Sequence, residues 1–289
     1  MDRITTDLLR DWAWWIAGGV VVLLLLVLLI FFYRSKDEVP ATRPEIEVPQ
    51  VDVEPEPDTE PQHPLPPVED EATADEAEPL PPLPPLDESD ESITGALADA
   101  IGVEAVKRHL IEENIIPSIV VTIDNLARDE LALRLRAVTP VQGQFSPSVQ
   151  EGEFEPGEEE YELREEDFER YEAAVKLVES TDTEDIVALY RRYYPLFQTA
   201  YADLGYPAQY FNDRLVEVID HLLDAPEVEP PIELTRPFVL YEFADPSLEG
   251  RSAGQKILIR MGPDNAAAIK EKLREIREAV STTTPVDAS

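Results

Sequence analysis

Residues 181–205 read TDTEDIVALYRRYYPLFQTAYADLG, and this stretch has the clearest structural signal in the chain. Thr181 and Glu184 have the spacing of a capping box at a helix N-terminus. After them, apolar residues recur at helical spacing, and Gly205 suits a helix C-terminus. We therefore expect a long helix with one buried face, formed by Ile186, Leu189, Tyr190, Tyr193, Phe197, Tyr201 and Leu204.

Apolar residues also recur at helical spacing on both sides of this stretch. Pro207 and Pro263 each precede such a run, in the place that proline favours at the first turn of a helix. The predicted buried faces are formed by Ile93, Leu97 and Ile101; by Phe168, Tyr171, Val175 and Val178; by Phe211, Leu215, Val218 and Leu222; and by Ile269, Leu273, Ile276 and Val280. Residues 90–281 are long enough to form one globular helical domain with a real core.

Three segments leave the secondary structure open. Residues 118–127 suit a helix opened by Pro117, although their β-branched run also suits a strand; the helix is favoured. Residues 138–163 are rich in proline and glycine and predict a loop with a short hairpin around Gln144–Val149 and Glu160–Leu163. Residues 238–243 suit a short strand or an extended segment. The predicted domain is therefore mainly α, with at most a short hairpin or strand.

A run of 22 uncharged residues, Trp12–Tyr33, precedes this domain. At about 1.5 Å per residue, a helix of that length matches the hydrocarbon core of a bilayer. A cleavable signal would have a shorter apolar run and a small-residue cleavage site, so an uncleaved single-pass anchor is favoured. Aromatic residues at both ends of the run suit the two membrane interfaces. We therefore expect an N-terminal tail over 1–11 and a transmembrane helix over 12–33.

The orientation of this anchor is open. Two basic residues precede the run and three follow it, which by the positive-inside rule slightly favours a cytoplasmic domain. A long acidic spacer after an N-terminal anchor suits a domain held away from a bacterial inner membrane, in the periplasm. We expect the periplasmic arrangement.

Residues 34–89 predict a disordered linker. Residues 40–85 contain 14 of the 27 prolines of the chain, and residues 41–90 contain 16 acidic residues against one basic residue. Proline blocks helix and sheet, and like charges repel one another, so we expect a partly polyproline II tether. The segment Leu80–Leu86 has the composition of an SH3 ligand, but a stiff spacer is favoured. Residues 282–289 are expected to form a flexible tail.

The chain is strongly acidic, with 61 acidic and 24 basic residues and a net charge of −37. Repulsion between this charge and phosphate argues against a nucleic acid partner. A basic protein partner remains open, although solubility or a high-salt habitat explains the charge more simply. The chain has no cysteine, so it forms no disulfide.

No catalytic, metal or cofactor motif is convincing. Gly250–Gly254 matches the G-x-S-x-G nucleophile elbow, but no histidine follows Ser252, as that fold requires. The three histidines have no metal-ligand spacing, and no Walker or dinucleotide fingerprint is present. With 61 carboxylates, a chance pair suitable for glycoside hydrolysis has no diagnostic value. We expect no cofactor and no metal.

Aromatic and basic residues are concentrated between 190 and 262. Arginine and tyrosine are common anchors of binding surfaces. The candidate partner-binding residues are Arg192, Arg214, Arg236, Tyr190, Tyr210 and Asn212. The alternative is that these side chains form the core and internal ion pairs, and we expect this for at least half of them.

The C-terminal part resembles the domain of unknown function 3014 family, over roughly residues 90–280. The acidic insert at 151–166 departs from this resemblance. The blocks that carry it are Ala188–Phe197, Leu204–Pro207, Tyr210–Leu215, Val218–Leu222, Arg236–Pro237 with Leu240–Pro246, Ser252–Lys256 and Arg260–Asn265. It implies a membrane-anchored bacterial protein with a proline-rich linker, and it implies no activity, cofactor or catalytic residue.

These observations predict a tethered interaction or scaffold module of the cell envelope rather than an enzyme. The expected partners are the membrane, through Trp12–Tyr33, and a protein or peptidoglycan. The alternative is a cell-wall hydrolase or lytic enzyme that uses paired carboxylates in a cleft.

Overall fold

The computed structural model describes residues 60–65, 81–111, 113–129, 147–150, 160–237 and 240–281. Over these ranges the protein is mainly helical, with nine α-helices and a small antiparallel sheet of four strands. A 3-10 turn at Leu86–Glu88 precedes the helices. These are α1 Asp90–Ile101, α2 Val103–His109, α3 Ile115–Leu126, α4 Glu165–Ser180, α5 Thr183–Asp203, α6 Phe211–Leu223, α7 Pro246–Glu249, α8 Ala253–Arg260 and α9 Pro263–Val280.

Helix α5 forms where the sequence predicts it, but a different residue caps it. The Asp182 carboxylate accepts the Glu184 amide at 2.8 Å, and the Thr181 hydroxyl donates to the Leu177 carbonyl oxygen of α4 at 2.8 Å. The predicted Thr181–Glu184 capping box is therefore wrong, because Thr181 closes the preceding helix instead. The predicted apolar face is buried except for Leu204, which is 37% exposed just after the helix.

The main core lies between α5 and the helices around it. Helix α9 packs against α4, α6 and α5, and α3 packs against α5 and α6. The predicted faces of α4, α6 and α9 are all buried, and all their residues except Phe168 of α4 belong to this core. The segment 118–127 is confirmed as helical, since α3 begins at Ile115 with Pro117 in its first turn.

The sheet has the order β1-β2-β3-β4, with β1 Ser148–Val149, β2 Tyr161–Leu163, β3 Ile232–Thr235 and β4 Glu242–Phe243. Pairing of β1 with β2 confirms the predicted hairpin. Pairing of β2 with β3 extends the sheet beyond the single hairpin or strand that was expected. The extension was missed because β3 follows a proline cluster and finds its partner about 70 residues earlier. The sheet covers a second apolar cluster, formed by Leu163, Phe168, Ile232, Leu234, Phe243 and Ile259.

Several predictions fall wholly or partly outside the described residues. The N-terminal tail 1–11, the membrane run Trp12–Tyr33 and the C-terminal tail 282–289 lie outside them. Within the ranges that the structure describes, no helix combines the length and the apolar character needed to cross a membrane. Two parts of the predicted linker are described, residues 60–65 and 81–89, and both lie on the helical domain. Leu65, Leu83 and Leu86 pack against its main core.

Candidate functional site

An open cleft lies beside the first turns of α6. Its volume is about 530 Å³, and its two walls come from the segment 60–65 and from the residues between α5 and the middle of α6. The residues that line it are Glu60, Gln62, His63, Ala208, Gln209, Tyr210, Asp213, Arg214, Glu217 and Asp220. Linker and domain thus form this cleft together.

The linker segment is held by its main chain. The amide nitrogens of Gln62 and His63 donate to the two carboxylate oxygens of Asp213, at 3.0 and 2.6 Å. Proline has no amide hydrogen, so between Pro61 and Pro64 only Gln62 and His63 can donate, and both do. Hydrogen bonds to a charged acceptor are stronger than neutral ones.

Asn212 completes this contact from the interior. Its side chain is only 1% exposed, and its amide nitrogen donates to the carbonyl oxygen of His63 at 2.6 Å and to that of Val280 at 2.9 Å. Its carbonyl oxygen accepts the Tyr190 hydroxyl at 3.1 Å. Asn212 therefore joins the linker segment to α5, α6 and the end of α9.

A buried ionic group supports the other side of α6. The Arg214 guanidinium donates to the Asp124 carboxylate and to the Asp124 carbonyl oxygen, both at 2.9 Å, and forms an ion pair with Glu217 at 2.9 Å. Asp124 is 4% exposed and is paired on its other oxygen with Arg128 at 2.6 Å. Burial lowers the pKa of Arg214, but its bonds with Glu217 and Asp124 outweigh burial, so the pKa is raised overall.

The structure disperses the six predicted partner-binding residues. Tyr210 and Arg214 line the cleft, whereas Asn212 lies behind it and Tyr190 is buried in the core. Burial raises the pKa of the Tyr190 phenol. Arg192 donates to the Pro81 carbonyl oxygen at 2.7 Å, and exposed Arg236 lies over the Tyr241 ring at 5.2 Å, in the sheet region. Tyr190, Asn212 and Arg214 thus have internal roles, and a partner-binding role stays a prediction for all six.

The sequence did not indicate that Asp213 contacts the segment 61–65. The spacing of Pro61 and Pro64 around two amide-bearing residues is the only local signal for the contact. The two partners lie about 150 residues apart, so their pairing depends on the fold.

The G-x-S-x-G segment forms a helix cap. Ser252 precedes α8, and its hydroxyl oxygen accepts the Gln255 amide at 3.3 Å. Nε2 of His221 lies 2.8 Å from this hydroxyl, a contact that the order of the residues along the chain did not suggest. Ser252 is 6% exposed, and Gln255 also donates to the His221 carbonyl oxygen at 2.8 Å. The arrangement joins α6 to α8 and offers no open nucleophile.

Three of the four carboxylates that line the cleft have donors from the same chain. Asp213 accepts two amides, Glu217 pairs with Arg214, and Asp220 accepts two hydrogen bonds from the Arg277 guanidinium, one of them at 2.9 Å. A general acid must be free to transfer a proton to a substrate, whereas these three carboxylates are engaged by donors of the same chain. Among the described residues, no three histidine, aspartate or glutamate side chains are grouped for a metal ion.

A family model described as "Protein of unknown function (DUF3014)" matches residues 115–277, more than half of the 289-residue chain. This match confirms the resemblance inferred from the sequence. No curated protein and no solved structure matches the chain significantly.

Proposed function

The chain belongs to the DUF3014 family of proteins of unknown function, and on that premise we propose that it is a membrane-tethered interaction module of the bacterial cell envelope. The anchor is the uncharged run Trp12–Tyr33, and the module is the helical domain over residues 90–281. The domain is periplasmic in this proposal, and it acts by binding a protein or peptidoglycan partner.

One observation carries the proposal: Asp213 and Asn212 bind the main chain of the linker segment 61–65. Asp213 and Asn212 together accept two main-chain amides and donate to one main-chain carbonyl oxygen. These contacts depend on the backbone of the bound segment, in the same way as many domains that recognise short peptides. Binding of a partner segment is therefore chemistry that this domain already performs on its own chain.

The contacts of three cleft carboxylates support binding rather than hydrolysis. Glycoside hydrolysis requires one protonated and one ionised carboxyl group on the two sides of the scissile bond. Asp213, Glu217 and Asp220 are each engaged by donors of the same chain, namely two linker amides, Arg214 and Arg277. A cell-wall hydrolase is therefore the outcome that would contradict the proposal.

The membrane part is tested by fusing reporters to the C-terminus of the full chain. Alkaline phosphatase is active in the periplasm and green fluorescent protein is fluorescent in the cytoplasm, so we expect activity from the first fusion only. A fluorescent fusion with an inactive phosphatase fusion would overturn the periplasmic orientation. Recovery in the soluble fraction would overturn the anchor.

The interaction part is tested by crosslinking the full chain in native envelopes and identifying what is captured. We expect a defined protein or peptidoglycan partner, with capture reduced by Tyr210→Ala at an unchanged melting temperature and retained by Asp203→Asn, an exposed residue outside the cleft lining. Release of new fragments from purified peptidoglycan by the wild-type chain would refute the binding-only proposal.

A further inference from the structure

The linker segment 61–65 has the properties of a bound peptide ligand. The amides of Gln62 and His63 and the carbonyl oxygen of His63 are bonded to Asp213 and Asn212. Leu65 is partly buried against the main core, whereas the side chains of Gln62 and Pro64 are exposed. The domain therefore contacts the main chain at positions 62 and 63 and the leucine side chain, whereas the exposed Gln62 side chain leaves that position open to other residues.

The receptor side is built by the folded domain. Asn212 is held in place by Tyr190 and by the Val280 carbonyl oxygen, which are parts of α5 and α9. Asp213 lies in the first turn of α6, where a negative charge is favoured by the exposed amides of the helix. A preorganised site loses less conformational entropy when a ligand binds.

We propose that the surface formed by Asn212 and Asp213 at the start of α6 is a binding site for peptides of the pattern Pro-Xaa-Xaa-Pro-Leu, and that residues 61–65 occupy it in the resting protein. The proposal deepens the proposed function, on which it rests, by naming the chemical class of the partner. A partner segment with the same pattern competes with the linker for Asp213 and Asn212. A tethered segment competes at an effective concentration in the millimolar range, so binding from solution is weak until the linker leaves.

Occupancy by the linker also shortens the tether. Between Tyr33 and Glu60 there are 26 residues, which span about 80 Å when extended, whereas the 47 residues of 34–80, which precede the second linker part that lies on the domain, span about 145 Å. Binding of a partner in place of residues 61–65 thus lengthens the reach of the domain from the membrane.

The first test is hydrogen exchange of the full chain in detergent or nanodiscs, read at the amides of Gln62 and His63. The variant Asp213→Asn keeps the shape of the side chain but loses one acceptor and the charge. We expect exchange at these amides to become at least tenfold faster, with no change for the matched control Asp203→Asn. Equal exchange in Asp213→Asn and wild type would overturn the proposal. Protection that increases with protein concentration would overturn occupancy by the same chain.

The second test uses a fluorescent peptide with the sequence of residues 59–66. The double variant Gln62→Pro/His63→Pro lacks both linker amides that bind Asp213, so the surface formed by Asn212 and Asp213 is vacant. We expect the peptide to bind this variant at least tenfold more tightly than wild type, and at least tenfold more tightly than a peptide N-methylated at the same two positions. Equal binding to variant and wild type, or no binding to a variant with an unchanged melting temperature, would refute the site. These outcomes do not depend on a membrane, so they are distinct from failure to capture a partner in envelopes.

Discussion

Replacement of Asn212 by alanine tests whether this residue holds the domain together. The variant loses three hydrogen bonds at a side chain that is 1% exposed. It also leaves the Tyr190 hydroxyl inside the core without the acceptor that it has in the wild type. An unmade hydrogen bond at a buried polar group costs about 1–3 kcal/mol, and water at the cleft replaces part of the contact with His63. We therefore expect the free energy of unfolding to fall by about 2–4 kcal/mol.

The assay is thermal unfolding of the full chain, followed by circular dichroism. For a domain of this size, 1 kcal/mol corresponds to about 2–4 °C, so the melting temperature should fall by roughly 4–16 °C. Asn265→Ala is the matched control, since Asn265 is only half-buried and donates to the Phe168 and Met261 carbonyl oxygens at 3.2 and 2.8 Å. Asn265→Ala should lower the melting temperature less than Asn212→Ala, because water reaches the two carbonyl oxygens that lose their donor.

A second substitution separates the interior contact from a general loss of packing. Tyr190→Phe removes the hydroxyl that Asn212 accepts, so it should cost stability in the wild type and little or none in Asn212→Ala. The coupling in this double-mutant cycle should be about 1 kcal/mol or more. A fall below about 2 °C for Asn212→Ala, or an equal cost of Tyr190→Phe in both backgrounds, would refute the reasoning.

Three further predictions use the same measurement. Arg214→Ala should lower the free energy of unfolding by about 2–4 kcal/mol, because the buried carboxylate of Asp124 loses a cation. Arg192→Ala should change the free energy of unfolding by less than about 0.5 kcal/mol, and equal effects of the two substitutions would contradict the assigned roles. Gly254→Ala should destabilise the domain by about 1–3 kcal/mol, since the added methyl group would lie 2.8 Å from a backbone carbonyl oxygen of α3. Its control is Gly95→Ala, where the methyl group would lie in open space and should stabilise the domain by about 0.5–1 kcal/mol. A stabilised Gly254→Ala would contradict this and show that the helices can separate. Burial raises the pKa of Tyr194 to about 12, so the stability that this phenol contributes is complete below its unfolded pKa of about 10 and is lost as the pH rises towards 12. Between pH 9 and 11.5, the melting temperature of Tyr194→Phe should therefore fall less than that of the wild type. An identical fall in the two proteins would refute this.

The helices could be predicted because their signals are local. The buried faces of α4, α6 and α9 follow from a period of 3.6 residues, which depends only on neighbours in the chain. The same holds for the hairpin of β1 and β2, whose strands are close in sequence and separated by turn residues. The capping of α5 was assigned to the wrong residue because Thr181 and Asp182 both suit a cap, and the choice depends on which of them the preceding helix uses.

The candidate site depends on contacts that no local pattern contains. Asp213 resembles any carboxylate in the first turn of a helix, and the linker prolines resemble a spacer. Only the packing of α5, α6 and α9 places Asn212 where it meets both the linker and the helix ends. The same packing distinguishes Arg214, which neutralises a buried aspartate, from Arg192, which contacts a linker carbonyl oxygen.

The sequence alone determined the helical class of the domain, the position of most of its helices and the family to which the chain belongs. The helices are marked along the chain by periodic apolar residues, prolines and capping residues, and each of these signals can be recognised within a few helical turns. The tertiary structure alone decided that β3 joins the sheet, that the linker returns to the domain and that Asn212 and Asp213 hold it. Each of these contacts joins residues about 70 to 150 positions apart, and such pairs form only when the whole core brings them together.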